Sequence, residues 1–110
     1  MDKRALLTKR EIGELDAELL TTIRRIGKRR AQLPTEIARL RERLGTEDDV
    51  PLYYQLQHKL LELNEESETT AKVEEFLQSV WEAVRNRPSI LSEIVVERAR
   101  SYCRRYSGNY

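Results

Sequence analysis

Cysteine, proline and glycine are all scarce in this chain, at one, three and four residues in 110. Each scarcity excludes something. A single cysteine, Cys103, cannot close an internal disulfide, so a reducing, cytoplasmic compartment is the expectation. It reads as a small, half-buried helix residue; as a reactive thiol it would owe a lowered pKa to its neighbours Arg104 and Arg105. Histidine is equally rare. His58 stands alone, far from Cys103 in sequence, whereas a zinc site needs several such ligands in array. The same poverty leaves Ser-His-Asp and Cys-His catalysis without a basis. So few turn residues argue against a β-sandwich or barrel. Gly13 and Gly27 are isolated and form no phosphate-cradling loop. No apolar run is long enough to span a bilayer. The opening, MDKRALLTKREIGELD, lacks the apolar stretch and small-residue cleavage site of a secretory leader. The expectation from these absences is a protein without metal, cofactor, membrane span or enzymatic centre.

What is present is helix-forming. Ala, Glu, Lys, Leu and Arg make up 57 of the 110 residues, and 35% of the chain is charged. That composition belongs to long helices and coiled coils. Ile12, Leu15, Leu19, Ile26 and Leu33 fall near a 3-4 repeat, widened by Leu20 and Ile23, which predicts a helix over about 3–32. Pro34 then predicts a kink or short break, since it disfavours helical geometry at Leu33. Ile37, Leu40 and Leu44 resume the stripe over 35–44, and Gly45 is a candidate cap. The segment GTEDDVP, 45–51, is the strongest loop signal, with Pro51 suited to the first turn of the next helix. Tyr53, Leu56, Leu60 and Leu63 form a seam over 51–66. The stripe vanishes over 64–70 (NEESETT), either a solvated part of one long helix or a second turn. Val73, Phe76, Val80 and Ala83 restore it over 69–87. A last helix is expected over 90–106, although ILSEIVV carries strand-like residues, because a lone strand would have no partner. The tail 107–110 is expected to be flexible. The fold class is therefore all-α, one domain over 1–110, an elongated antiparallel helical hairpin or three- to four-helix bundle with coiled-coil character.

Charge is segregated along the chain. Residues 1–45 carry a net +5, residues 46–85 a net −7, and residues 86–110 a net +3. Folded antiparallel, the first two segments face each other with opposite sign, within one chain or between chains, which selects register and partner more than it stabilises. With only 6% aromatics the core is thin, and an elongated hairpin buries one stripe per helix. A protein partner or second copy is expected to cover the remainder. The candidate interface residues are Leu56, Leu60, Leu63, Val73, Phe76, Val80 and Trp81.

Two basic groups support a second reading. Arg24, Arg25, Lys28, Arg29 and Arg30 place five cations within seven residues. Arg98, Arg104 and Arg105 interleave with Tyr102, Tyr106 and Tyr110. Arginine binds phosphate bidentately, so a nucleic-acid backbone is the alternative partner. No base-reading motif accompanies these groups.

The segment Lys9 to Leu20 (KREIGELDAELL) resembles the opening helix of the small helical chorismate mutases. That resemblance implies a dicarboxylate held by arginines and lysines projecting from helices, without metal or histidine. Aligned on Leu15-Asp16 and Leu19-Leu20, the family's first-helix arginine falls on Lys9 and its next on Ile26. A carboxylate finds no partner at Ile26, and no site residue carries over. The expected function is non-catalytic: a helical interaction or assembly subunit.

Overall fold

The computed structural model describes residues 3–108. Three α-helices and one short 3-10 turn account for nearly all of them: α1 (Lys9–Thr46), α2 (Val50–Asn86), the turn Pro88–Ile90, and α3 (Glu93–Arg105). The all-α helical hairpin expected from the sequence is the fold observed. α1 and α2 run antiparallel, and the molecule measures 60 × 27 × 20 Å. Its radius of gyration is 18.4 Å, against about 13 Å for a compact domain of this length.

α1 starts six residues later than its periodicity predicts. Thr8 and Glu11 form a reciprocal capping box: Glu11 N–H donates to Thr8 Oγ1 and Thr8 N–H to Glu11 Oε1, both at 3.1 Å. Those bonds hold the Glu11 carboxyl below its usual range, the backbone bond to Thr8 contributing most. Residues before the cap take another path. Arg4 bridges antiparallel to Ser92, Ala5 N–H donates to the Leu91 carbonyl at 2.9 Å, and Glu93 N–H donates to the Lys3 carbonyl at 2.7 Å. The strand-like run after Ile90 therefore does have a partner, the chain's own first residues. It delays the last helix, which begins at Glu93 with Ser92 as its cap rather than at Ile90.

The predicted break at Pro34 is absent. α1 passes through it as one helix of 38 residues. Pro34 lies on the exposed face, where its ring meets no neighbouring helix, and the helix continues because Leu33 is buried on the adjoining face. The helix extends to Thr46, with Glu47 at its C-cap and Asp49 capping α2 through Leu52 N–H at 3.2 Å. The loop is shorter than 45–51, and Pro51 sits in the first turn of α2 as expected.

The two predicted helices over 51–66 and 69–87 are likewise one helix of 37 residues. Its polar stretch is not a turn. Thr70 is buried, but its hydroxyl donates to the Glu66 carbonyl of its own helix at 2.7 Å. Thr22 on α1 does the same toward Glu18, at 2.9 Å. A hydroxyl satisfied by its own helix can sit in a core at little cost.

The core has a broad base and a narrow extension. At the base, Leu15, Leu19 and Ile26 of α1 meet Val73, Leu77, Val80 and Val84 of α2, and α3 covers them with Val96, Ala99 and Cys103. Beyond the reach of α3 the buried apolar side chains between the two helices are, among the described residues, Leu33, Leu56 and Leu63. In the expected tail, Ser107 hydrogen-bonds the Arg104 carbonyl and Gly108 turns with φ 72°. Residues 109–110 lie outside the described residues.

Candidate functional site

The structure divides the basic cluster on α1 into two groups. Arg29 is an internal tie. Its guanidinium reaches across to Glu66 on α2 through two bonds, of 2.6 and 2.9 Å, and to Glu36 on its own helix at 2.8 Å. This bidentate arrangement, with the Glu66 bond first among the causes, raises the Arg29 pKa further above its already high value. Arg30 pairs with Glu74 of α2 at 2.9 Å. These pairs bridge the helices where the apolar stripe fails. Arg24, Arg25 and Lys28 have no ion pair among the described residues.

Arg29→Met is expected to lower unfolding free energy by about 1–2 kcal/mol, since it removes the guanidinium shared by two part-exposed carboxylates. Arg24→Gln and Lys28→Gln should each stay within about 0.5 kcal/mol of wild type. Urea titration of the three variants tests the division. Equal losses in all three would refute it.

The C-terminal cations are dispersed. Arg104 pairs with Glu97 at 3.0 Å, and the Arg105 guanidinium stacks 5.8 Å from the Tyr102 ring. Arg98 is exposed on the outer face of α3 with Arg105. Tyr102 packs edge-on against Phe76 at 5.7 Å, and Tyr106 is buried. Tyr110 lies outside the described residues.

Among the candidate interface residues, Leu56, Leu63, Val73 and Val80 are buried within the chain. Leu60, Phe76 and Trp81 are half-buried. Trp81 clips α2 to α1. Its ring N–H donates to Asp16 Oδ1 at 2.5 Å, and Arg85 lies over the ring at 4.9 Å. His58 is exposed, 3.7 Å from Glu62. Ile26, the position aligned with a carboxylate-binding arginine, is fully enclosed in the core, and Lys9 is exposed.

Cys103 is buried rather than half-buried, its Sγ 3.9 Å from the Glu18 carbonyl. Burial pushes the thiol pKa up, outweighing the opposing pull of Thr22 and Arg104. A raised pKa makes its contribution to stability complete below the unfolded value and lost as pH climbs through the folded one. Alkylation by iodoacetamide near neutral pH should run at least about tenfold slower than in denaturant. A native rate equal to the denatured one would contradict this.

The surface the sequence reading missed is the tip. Val50, Tyr54 and Leu61 are 62%, 64% and 58% exposed, unusual for large apolar side chains. They share the outer face of α2, because 50, 54, 57 and 61 recur at helical spacing. The doublets Tyr53-Tyr54 and Leu60-Leu61 were the available signal. Two adjacent residues are about 100° apart on a helix, so both cannot face α1. Leu6, Ile90 and Ile94 form a second exposed apolar group around the open end. α3 does not reach the tip: its last residues lie beside Thr21, Thr22 and Arg25 of α1.

The architecture defines an all-α protein: a long two-helix stalk whose base is bound by a third helix. No family model matches the chain, and no curated protein or solved structure matches it either. Among the described residues no helix is long and apolar enough to cross a membrane, and no group of three or more acidic, histidine or cysteine side chains is placed to hold a metal.

Proposed function

We propose that this chain is a non-catalytic helical assembly subunit that works in a cytoplasmic setting and presents the tip of its hairpin to another protein chain. The observation that carries the reading is the bare stalk. Two helices alone bury one stripe each, and Val50, Tyr54 and Leu61 stand exposed where α3 gives no cover. Packing a further helix there would extend the hairpin into a bundle of coiled-coil type. Of the interface residues expected from sequence, Leu60 is the one that borders this face.

The test is the native size of the tagged chain in the cells it comes from. Wild type should run well above the 13.0 kDa of a single chain. The variant Val50→Lys/Tyr54→Lys/Leu61→Lys should run as a free chain with its helicity intact. Wild type running as a free chain would overturn the reading.

One observation favours the nucleic-acid alternative. Arg24, Arg25, Lys28, Arg39 and Arg43 have no ion pair among the described residues, and at 100° per residue they share about one quadrant of α1. Such a stripe is suited to a phosphate backbone. Binding to generic duplex DNA or RNA would then fall steeply with salt, at about one log unit per phosphate neutralised for each tenfold rise.

A further inference from the structure

The exposed face at the tip has an internal symmetry that names its occupant. Reading outward from Gln57 along α2, the apolar pair Tyr53-Tyr54 lies on one side and the apolar pair Leu60-Leu61 on the other, at equal distance. Val50 and Asn64 are equally placed further out. Tyr54 and Leu61, at 64% and 58% exposure, are the outward members, and Tyr53 and Leu60 are half-buried at the edge of the same face.

A face of this pattern is complementary to itself under a two-fold rotation. If two α2 helices are laid antiparallel with Gln57 on the axis, Tyr54 of each copy meets Leu61 of the other on one flank, and Tyr53 meets Leu60 on the other flank. The two Gln57 amides, each able to donate and accept, face one another at the centre. This is the geometry an isologous dimer contact requires: one patch on both copies. A parallel pairing would set tyrosine on tyrosine and leucine on leucine, leaving steps in the surface. Covering the tyrosine and leucine pairs with Val50 in both copies removes on the order of 1,000 Å² from water, about the minimum for a specific interface.

Resting on the reading of the tip as an assembly surface, we infer that its partner is a second copy of this chain, bound antiparallel about Gln57. The overlap joins two hairpins tip to tip into a longer rod with the α3 ends outward. The interface is small, so it forms and dissolves in the micromolar range rather than permanently. Charges at its ends are alike, since Asp49 comes level with Glu65 of the second copy. Added salt therefore tightens the association, the opposite of phosphate-backbone binding.

Sedimentation equilibrium of the purified chain tests this. The mass should rise from 13.0 kDa toward twice that value with concentration, and more readily at high salt. Tyr54→Lys/Leu61→Lys should remove the rise, with the thermal melt of the diluted chain unchanged because both side chains are exposed. Orientation is tested by cysteine pairing. Val50→Cys/Asn64→Cys should oxidise to a covalent dimer, whereas Val50→Cys alone should not, and Cys103 is too deeply buried to compete. A chain that stays single at every concentration, a lysine variant that still associates, or a covalent dimer from Val50→Cys alone would each overturn the inference. A single chain in pure form that nonetheless runs as a tip-dependent complex in cells would overturn only the identity of the partner, leaving the assembly reading in place.

Discussion

Leu77→Ala should lower unfolding free energy by about 2–5 kcal/mol, the loss expected when a fully enclosed leucine leaves a cavity. Leu77 has no exposed surface and sits within the cluster where α1, α2 and α3 converge. Walls contributed by three helices cannot close inward together, which places the cost in the upper part of the range. A domain of this size has about 5–15 kcal/mol in total, so the variant should melt well below wild type at an unchanged urea slope. The same truncation at Leu56, which is buried between two helices only and retains some exposure, should cost less. A loss of under about 1 kcal/mol at Leu77 would show that the base is not the cooperative centre of the fold.

Pro34→Ala should act in the opposite direction, raising stability by about 2–3 kcal/mol. Proline inside a helix forfeits one hydrogen bond and crowds the preceding turn, at a cost of about 3 kcal/mol relative to alanine. Part of that is returned because proline also restricts the unfolded chain. Pro34 is exposed and helical on both sides, so alanine fits without repacking and restores the missing N–H to the turn before it. Urea unfolding measures the gain. A loss on substitution would mean that proline shapes the bend of α1 in a way the hairpin needs.

Much of the fold was legible in the residue pattern. The 3-4 spacing of Leu15, Leu19, Ile26 and Leu33, and of Val73, Val80 and Val84, marks the sides that meet. What was not legible has two causes. Apolar periodicity ends where a polar side chain supplies the contact instead, and at 64–70 that contact is the Arg29–Glu66 pair beside the self-bonded Thr70. Local rules also yield to tertiary packing. Pro34 suggests a break only until Leu33 and Leu63, both buried, hold the two helices in line. The pairing of Ala5 with Leu91 joins residues remote in sequence and carries no local signal.

Of the candidate site, the cations were visible as a cluster, but their separate roles were not. Arg24 and Arg29 look alike in sequence and differ only in what lies across the groove. The seam residues form one stripe in the sequence, but the chain uses Leu56, Leu63, Val73 and Val80 for itself. Tyr54 and Leu61 carry no periodic signal of their own, because each stands next to a residue that fits the inner stripe.

The uneven core has a mechanical consequence. Three helices and the paired chain start clamp one end of the rod, while the other is held by Leu33, Leu56, Leu63 and a few charge pairs. Amide protons in α1 and α2 near the hairpin turn should therefore exchange long before those beside Leu19 and Leu77. The molecule behaves as a cantilever, stiff at its root and compliant at its free end, and whatever grips that end does so where the backbone yields most easily.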